Sequence, residues 1–270
     1  MRTNEIDPHY FARRIRAHAL RMVFKARSSH IGSCLSMADI LAVLYTRIMR
    51  IDPAQPQLAE RDRLIVSKGH AAAIIYATLA ERGYFPAADL DTFGANGSIL
   101  TGHISHAVPG IEVSTGSLGH GLPIAVGMAL AAKAAGRTRR IYCLLSDGEC
   151  DEGSNWEAIL FSPHHKLDNL IVIVDFNKIQ SFGRTSEVLN LEPFADKWRA
   201  FGWDTLEVDG HDLAALEQGF TAPATPGKPR VLIAHTIKGR GVSFMEDKLE
   251  WHYKSPSDEQ LNAALAEIGE

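Results

Sequence analysis

The chain predicts a doubly wound α/β fold, a parallel sheet with helices on both faces. Three observations carry that expectation. Short, continuous apolar runs such as Ile141–Leu145 and Leu170–Val174 are bounded by polar residues, as suits strands buried on both faces. Segments of helical periodicity lie between such runs. The alternation of the two continues along most of the chain, the pattern of βαβ units.

The elements follow in order. Apolar positions Phe11, Ile15, Ala19, Met22, Val23 and Ala26 recur at helical spacing, and Asp7-Pro8 reads as a cap followed by proline in the first turn. A second helix is predicted over Met37–Met49 with Ser36 as its cap. Arg63–Val66 is a short strand leading into Ser67-Lys68-Gly69-His70, and the alanine-rich run Ala71–Glu81 is a helix. Residues 91–121 are rich in Gly, Ser and His without regular pattern, and a loop of that size inside a compact domain usually has a function. Leu122–Ala135 is small and apolar on nearly every face, which predicts a buried helix. Trp156, Ile159 and Leu160 give the inward face of a crossover helix, and further strands are predicted at Thr205–Val208 and Val231–Ala234. One domain over residues 1–270 fits the length, with residues from about 238 as a C-terminal extension.

Composition narrows the function. Hydrophobic residues make up 46% and charged residues 22%, enough for a sizeable core. A net charge of −4 without any basic block argues against nucleic acid, while leaving room for a small anionic ligand. Cys34, Cys143 and Cys150 are odd in number and widely spaced, so neither a disulfide framework nor a zinc pattern is present; Cys143 reads as a small core residue. The N-terminus lacks an apolar signal core, and no stretch is long enough to span a membrane, so a reducing cytoplasm is the expected compartment.

The chemistry concentrates at two strand ends. Leu145-Ser146-Asp147-Gly148-Glu149 closes one buried strand, and Val174-Asp175-Phe176-Asn177-Lys178-Ile179 closes the next. Ligands of open parallel sheets bind beyond the carboxyl ends of the strands. Asn177 follows Asp147 by thirty positions, one strand-to-strand crossover, so both side chains emerge at the same edge. A carboxylate, a carboxamide oxygen and a backbone carbonyl form a hard-oxygen set suited to magnesium, with diphosphate oxygens and water completing it. Taken singly, Asp147 also fits a helix cap and Asn177 a turn. Gly148 permits close approach of a phosphate. Gly116-Ser117-Leu118-Gly119-His120-Gly121 is a weaker sign: it fits a nucleotide loop poorly and suits backbone contact with a flat ring, with Leu118 as an apolar prop. The helix after it offers N-terminal amides to an anion. Of 12 histidines, His30, His70, His103, His106 and His120 sit in loops near glycine; their spacing matches no zinc site and suits proton transfer and hydrogen bonding to a polyhydroxylated substrate.

These residues together resemble the N-terminal half of transketolase, a thiamine diphosphate enzyme. The resemblance runs from Ser28-Ser29-His30 to Trp251-His252 and includes Ser67-Lys68-Gly69-His70, Thr101-Gly102-His103, the 116–121 loop, Glu152-Gly153 with Trp156-Glu157, and Lys238-Gly239-Arg240-Gly241-Val242. It implies that Asp147, Asn177 and the Ile179 carbonyl bind Mg2+, or Ca2+ or Mn2+ in its place. It implies cofactor contacts from His70, Gly116, Ser117, Leu118, Asp147, Gly148, Glu149, Asn177 and Ile179, with Lys238 and His252 near the diphosphate or substrate channel. His30, His70, His103, His252 and Glu152 are the implied catalytic set. Within it, His30 and His103 hold the substrate's carbonyl and hydroxyls, and Glu152 is a buried acid at a dimer interface. Blander roles compete: Lys68 and Lys238 pairing with surface carboxylates, Glu152 capping the Trp156 helix, His252 solvated.

The sequence departs from the family at Ser146, in place of the first glycine of Gly-Asp-Gly, at Ile31 and Ile104, where proline is common, and at the extra imidazole of His106. These changes lie near the implied substrate mouth. A full transketolase carries a second domain that binds the aminopyrimidine ring and supplies a catalytic glutamate. The expectation is therefore a split enzyme: a diphosphate-binding subunit, a separate C-terminal subunit with the pyrimidine-binding domain, self-association into a heterotetramer, and a small sugar or sugar-phosphate substrate. A non-catalytic scaffold of the same fold, and a carboligase subunit like 1-deoxyxylulose-phosphate synthase, stay open as alternatives.

Overall fold

A computed structural model describes residues 6–270. The chain runs α1 (Pro8–Ala26), α2 (Ile31–Ser36), α3 (Ala38–Val43), β1 (Arg63–Val66), α4 (Ala72–Glu81), α5 (Gly121–Ala134), β2 (Ile141–Ser146), α6 (Gly153–His164), β3 (Leu170–Phe176), α7 (Thr185–Val188), α8 (Phe194–Ala200), β4 (Asp204–Asp209), α9 (Leu213–Thr221), β5 (Arg230–His235) and α10 (Asp258–Glu267). All five strands are parallel, in the order β1-β2-β3-β5-β4.

Strand side chains alternate between two core layers, which is the physical content of double winding. Leu64, Val66, Tyr142, Leu144, Ile171, Ile173, Leu232 and Ala234 pack with α1 to α4 and α9. Ile65, Cys143, Leu145, Val172, Val174, Val231 and Ile233 pack on the opposite face with α5, α6 and α8. Every residue of β3 is buried, so the central strand has no solvated face. Asp7 caps α1 by accepting from the His9 N–H, with Pro8 in the first turn, as the sequence predicts.

Four expectations need correction. The helix expected over Met37–Met49 begins earlier and is broken: α2 ends at Ser36, Met37 interrupts, and α3 runs on into a wider π-helical turn over Leu44–Ile48. Ser36 caps nothing, because its hydroxyl is engaged by Asp175 (2.6 Å) across the core. Helix α5 buries Leu122, Ala125, Val126, Ala129 and Ala132, but Ile124, Gly127 and Ala131 face outward. Its uniform apolarity therefore reflects an uncovered face as well as a buried one. In α6, Ile159 is fully buried whereas Leu160 is 61% exposed, so Leu160 does not belong to the inward face. The segment after Lys238 folds back on the N-terminal helices: Val242, Met245 and Trp251 are buried, Gly239 donates its N–H to Gly32, and α10 packs on α1.

Candidate functional site

The carboxyl ends of β1, β2, β3 and β5 open into one cavity of about 240 Å³. Its lining includes His30, His70, His103 and His252, then Gly116 and Leu118, then Asp147, Gly148, Glu149, Asn177, Ile179 and Lys238. Residues from widely separated stretches of sequence thus meet at one sheet edge. Ser117 is exposed and does not line it, and neither does Glu152. Glu152 stands at the N-cap position of α6 without a capping hydrogen bond and is exposed in this chain. The amide end of α5 stays out of the cavity, since Gly121 gives its N–H to the Ser67 hydroxyl (3.0 Å).

The acidic side is built from the β2 and β3 ends. Asp147 is 1% exposed; its Oδ1 accepts from the Gly148 N–H (2.7 Å) and its Oδ2 from the Lys178 N–H. Burial and the nearby Asp175 charge push its carboxyl up to about 6, and among the described residues Lys238 acts on it only at a distance, without a salt bridge. Asn177 turns its Nδ2 to Asp175 Oδ2 (3.2 Å), leaving Oδ1 as the group near Ile179, whose N–H it accepts (3.2 Å). Gly148 has no room for a side chain: a Cβ there would lie 2.6 Å from Gln180 Cβ. Glu149 is buried and accepts from the Ser67 hydroxyl and the Gly119 N–H (2.8 Å); burial raises its carboxyl despite those donors. Ser146 takes the place of glycine without strain, and its Oγ accepts from the Glu149 N–H (3.3 Å).

The rest of the lining gathers nitrogen groups. His30 packs at 4.9 Å, ring centre to ring centre, from both His70 and His252, with His103 at 6.4 Å. His30 reaches this position through a left-handed backbone, φ 73°. Burial, with neighbouring cationic groups, lowers His30 to about 4 and His252 to about 3, and takes His70 well below its ordinary value. These three imidazoles are therefore neutral at pH 7, available as hydrogen-bond donors and acceptors. Lys238 is 2% exposed and donates to the Ile179 carbonyl (2.9 Å), with His252 Nδ1 at 3.0 Å. Burial lowers its ammonium to about 8. Lys238 is thus no surface residue, and half-buried His252 is no solvated one.

Lys68 is likewise fully buried, paired with Asp175, whose other partners are the hydroxyls of Ser36 and Thr236 and the Asn177 amide. Burial pushes the Asp175 carboxyl up, but Lys68 and the two hydroxyls outweigh it and hold it below its ordinary value. Asp175, Ser33, Gln180 and Ser181 escape a reading of the sequence; only the charge inside the apolar run LIVIVDF hints at Asp175. Ile104 donates its N–H to the Gly69 carbonyl (3.1 Å), a bond that proline at this position could not make.

The donor set fits a cation bridged to an anion. A buried carboxylate, a carboxamide oxygen and a carbonyl line the same cavity as imidazoles and a buried ammonium, which donates to that carbonyl (2.9 Å). No cluster of three or more His, Cys, Asp or Glu side chains suited to a metal occurs among the described residues, so a metal here would need an amide oxygen and a carbonyl among its ligands.

This architecture belongs to the class of open α/β proteins whose ligand site lies at the strand carboxyl ends. Residues 8–269 match the family "Transketolase, thiamine diphosphate binding domain", and the chain belongs to that family. It is 45% identical over 256 residues to one of the separate subunits of apulose-4-phosphate transketolase from Phocaeicola vulgatus, covering 94% of this chain and 91% of that one. It is 44% identical over 273 residues to the 6-deoxy-6-sulfo-D-fructose transketolase subunit SqwG of a Clostridium species, covering 99% and 98%. Among solved structures, transketolase from Leishmania mexicana superposes with a TM-score of 0.92 at 33% identity, covering 98% of this chain and 41% of that one. The chain therefore spans about two-fifths of the single-chain enzyme and nearly all of the separate subunits.

Proposed function

We propose that this chain is the diphosphate-binding subunit of a two-component transketolase, moving a two-carbon ketol unit from a ketose or ketose phosphate to an aldehyde. The observation that carries the reading is the convergence in one cavity of buried Asp147, Asn177 and the Ile179 carbonyl with buried Lys238, which donates to that carbonyl (2.9 Å), and the imidazoles beside it. Thiamine diphosphate, when bound, supplies the acidic carbon and the electron sink. Asp147, Asn177 and the Ile179 carbonyl hold Mg2+, or Ca2+ or Mn2+ in its place. Lys238, His70 and His252 face the diphosphate, and Gly148 keeps a side chain out of its way. Gly116 and Leu118 offer backbone and an apolar surface to the flat ring. His30, held neutral, and His103 hold the substrate's oxygens and take up a hydroxyl proton as the carbon–carbon bond breaks.

A scaffold without chemistry gains nothing from burying Asp147 unpaired, which speaks against that alternative. The remaining machinery, a pyrimidine-binding domain with its catalytic glutamate, is placed on a separate chain. Relatives of this length that are named as transketolase subunits support that division. Two copies of each chain form a heterotetramer in which exposed Glu152 becomes buried at the contact. Among the described residues no helix is long and apolar enough to cross a membrane, and the cytoplasm is the proposed compartment. Ketol transfer is measured for the purified chain, for its partner, and for the mixture. Turnover is expected only in the mixture; full turnover by this chain alone contradicts the division.

A further inference from the structure

We infer that Asp175, anchored by Lys68, is a positioning residue that fixes which end of the Asn177 carboxamide is presented to the metal. The inference rests on the metal site proposed above and goes beyond it, because neither residue lines the cavity.

A carboxamide is a metal ligand only through its oxygen, yet its oxygen and nitrogen ends have nearly the same shape. A half-turn of the side chain replaces a ligand with two N–H donors, which repel a cation. Asn177 is 4% exposed, so solvent does not set the choice. The structure sets it by chemistry at the other end. Asp175 Oδ2 is an acceptor 3.2 Å from Asn177 Nδ2, and an ionised carboxylate has no proton to give to a carboxamide oxygen. The turned-over amide would place oxygen against oxygen. The Ile179 N–H, donating to Asn177 Oδ1 at 3.2 Å, favours the same orientation from the opposite end.

Asp175 performs this task only if it stays ionised and still. Both Asp175 and Lys68 are fully buried, and the ammonium contacts the same Oδ2 that Asn177 uses. Ser36 donates to Oδ2 as well (2.6 Å), and Thr236 donates to Oδ1. Three elements of the fold, α2, the β1 end and the β5 end, thus converge on one carboxylate of β3 whose remaining hydrogen bond among the described residues is to the amide. A buried pair of this kind is a poor source of net stability, since desolvation offsets most of the attraction. Its cost is better accounted for by orientation of a ligand, as outer partners of metal ligands commonly do. The Lys68 ammonium also contacts the Ser33 hydroxyl (3.2 Å), which in turn touches His70 Nε2 (3.2 Å), so the same anchor extends to the imidazole side.

The test replaces the pair by apolar residues of similar volume, Lys68→Met with Asp175→Leu, which leaves no buried charge uncompensated. Mn2+ affinity of the full chain with saturating thiamine diphosphate is read by calorimetry and by electron paramagnetic resonance, independent of turnover. The double variant should bind Mn2+ roughly 10- to 100-fold more weakly. Adding Asn177→Asp, whose two oxygens make orientation irrelevant, should restore the affinity in that background. The same Asn177→Asp change in the parent chain should bring no gain, because it sets carboxylate against carboxylate. Undiminished Mn2+ binding by the double variant overturns the inference, and so does a loss that Asn177→Asp fails to restore. Failure of the parent chain to bind Mn2+ at all instead overturns the metal site itself. Hydrogen exchange of the Asn177 side-chain amide in the parent chain, followed by nuclear magnetic resonance, tests the contact without any variant. Protected amide protons are expected, and exchange at the rate of a free carboxamide overturns the lock even if the double variant does not fold.

Discussion

Replacing Lys238 by methionine isolates the anion side of the site. The Nζ is buried, 2.9 Å from the Ile179 carbonyl and 3.0 Å from His252 Nδ1, so methionine keeps the stem's packing and removes only the charge and its donors. With its ammonium lowered to about 8, Lys238 is roughly nine-tenths protonated at pH 7, and a bound diphosphate would complete the protonation. A charge-assisted hydrogen bond in such a setting contributes about 1.5–3 kcal/mol. Thiamine diphosphate should therefore bind the Lys238→Met chain roughly 10- to 150-fold more weakly at fixed Mg2+, read by calorimetric titration. The substitution also frees the Ile179 carbonyl from its donor, so Mn2+ affinity in the absence of the diphosphate should hold or rise. Unchanged thiamine diphosphate affinity, or equal losses for diphosphate and bare metal, would refute the assignment of Lys238 to the anion.

Three further outcomes follow from single sites. Gly148→Ala sets a methyl 2.6 Å from Gln180 Cβ and should weaken thiamine diphosphate binding by tenfold or more, on the order of 1.4 kcal/mol, with Gln180→Gly restoring it in the same titration. Away from the site, burial raises the Asp39 carboxyl but Arg16 and His211 outweigh it and hold it at about 2. Its stabilisation, about 2 kcal/mol, is present above its unfolded value near 3.8 and lost as pH falls towards 2. Urea midpoints between pH 5 and pH 2 should fall less steeply for Asp39→Asn than for the parent. Ile159→Ala, which empties a fully buried position of α6, should cost roughly 2–5 kcal/mol in urea unfolding and leave Mn2+ affinity unchanged.

The sheet is legible in the sequence because its apolar runs are local. Ile141–Leu145 and Leu170–Val174 each carry the pattern of a strand buried on both faces within a few residues. The strand ends then point to Asp147 and Asn177, and the cavity brings both together with Lys238 and the four histidines His30, His70, His103 and His252. Helix α5 shows where local pattern stops: a run apolar on every side reports composition, while burial depends on what else covers it. The Lys68–Asp175 pair shows a different limit. Its partners are 107 positions apart, and nothing in Ser67-Lys68-Gly69-His70 distinguishes a buried ammonium from a solvated one. Ser36 reads as a cap for the same reason, since its hydroxyl serves a carboxylate 139 positions away rather than the adjacent helix.

The central claim is that Asp147, Asn177 and the Ile179 carbonyl anchor a metal-bound diphosphate. Crystals of the chain grown with thiamine diphosphate and Mn2+, with data collected near the manganese absorption edge, locate the metal by its anomalous scattering. The account predicts one peak about 2.1 Å from all three oxygens, with diphosphate oxygens on the side facing Lys238. A peak elsewhere in the cavity, or a bound cofactor whose diphosphate lies away from Asp147, would contradict it.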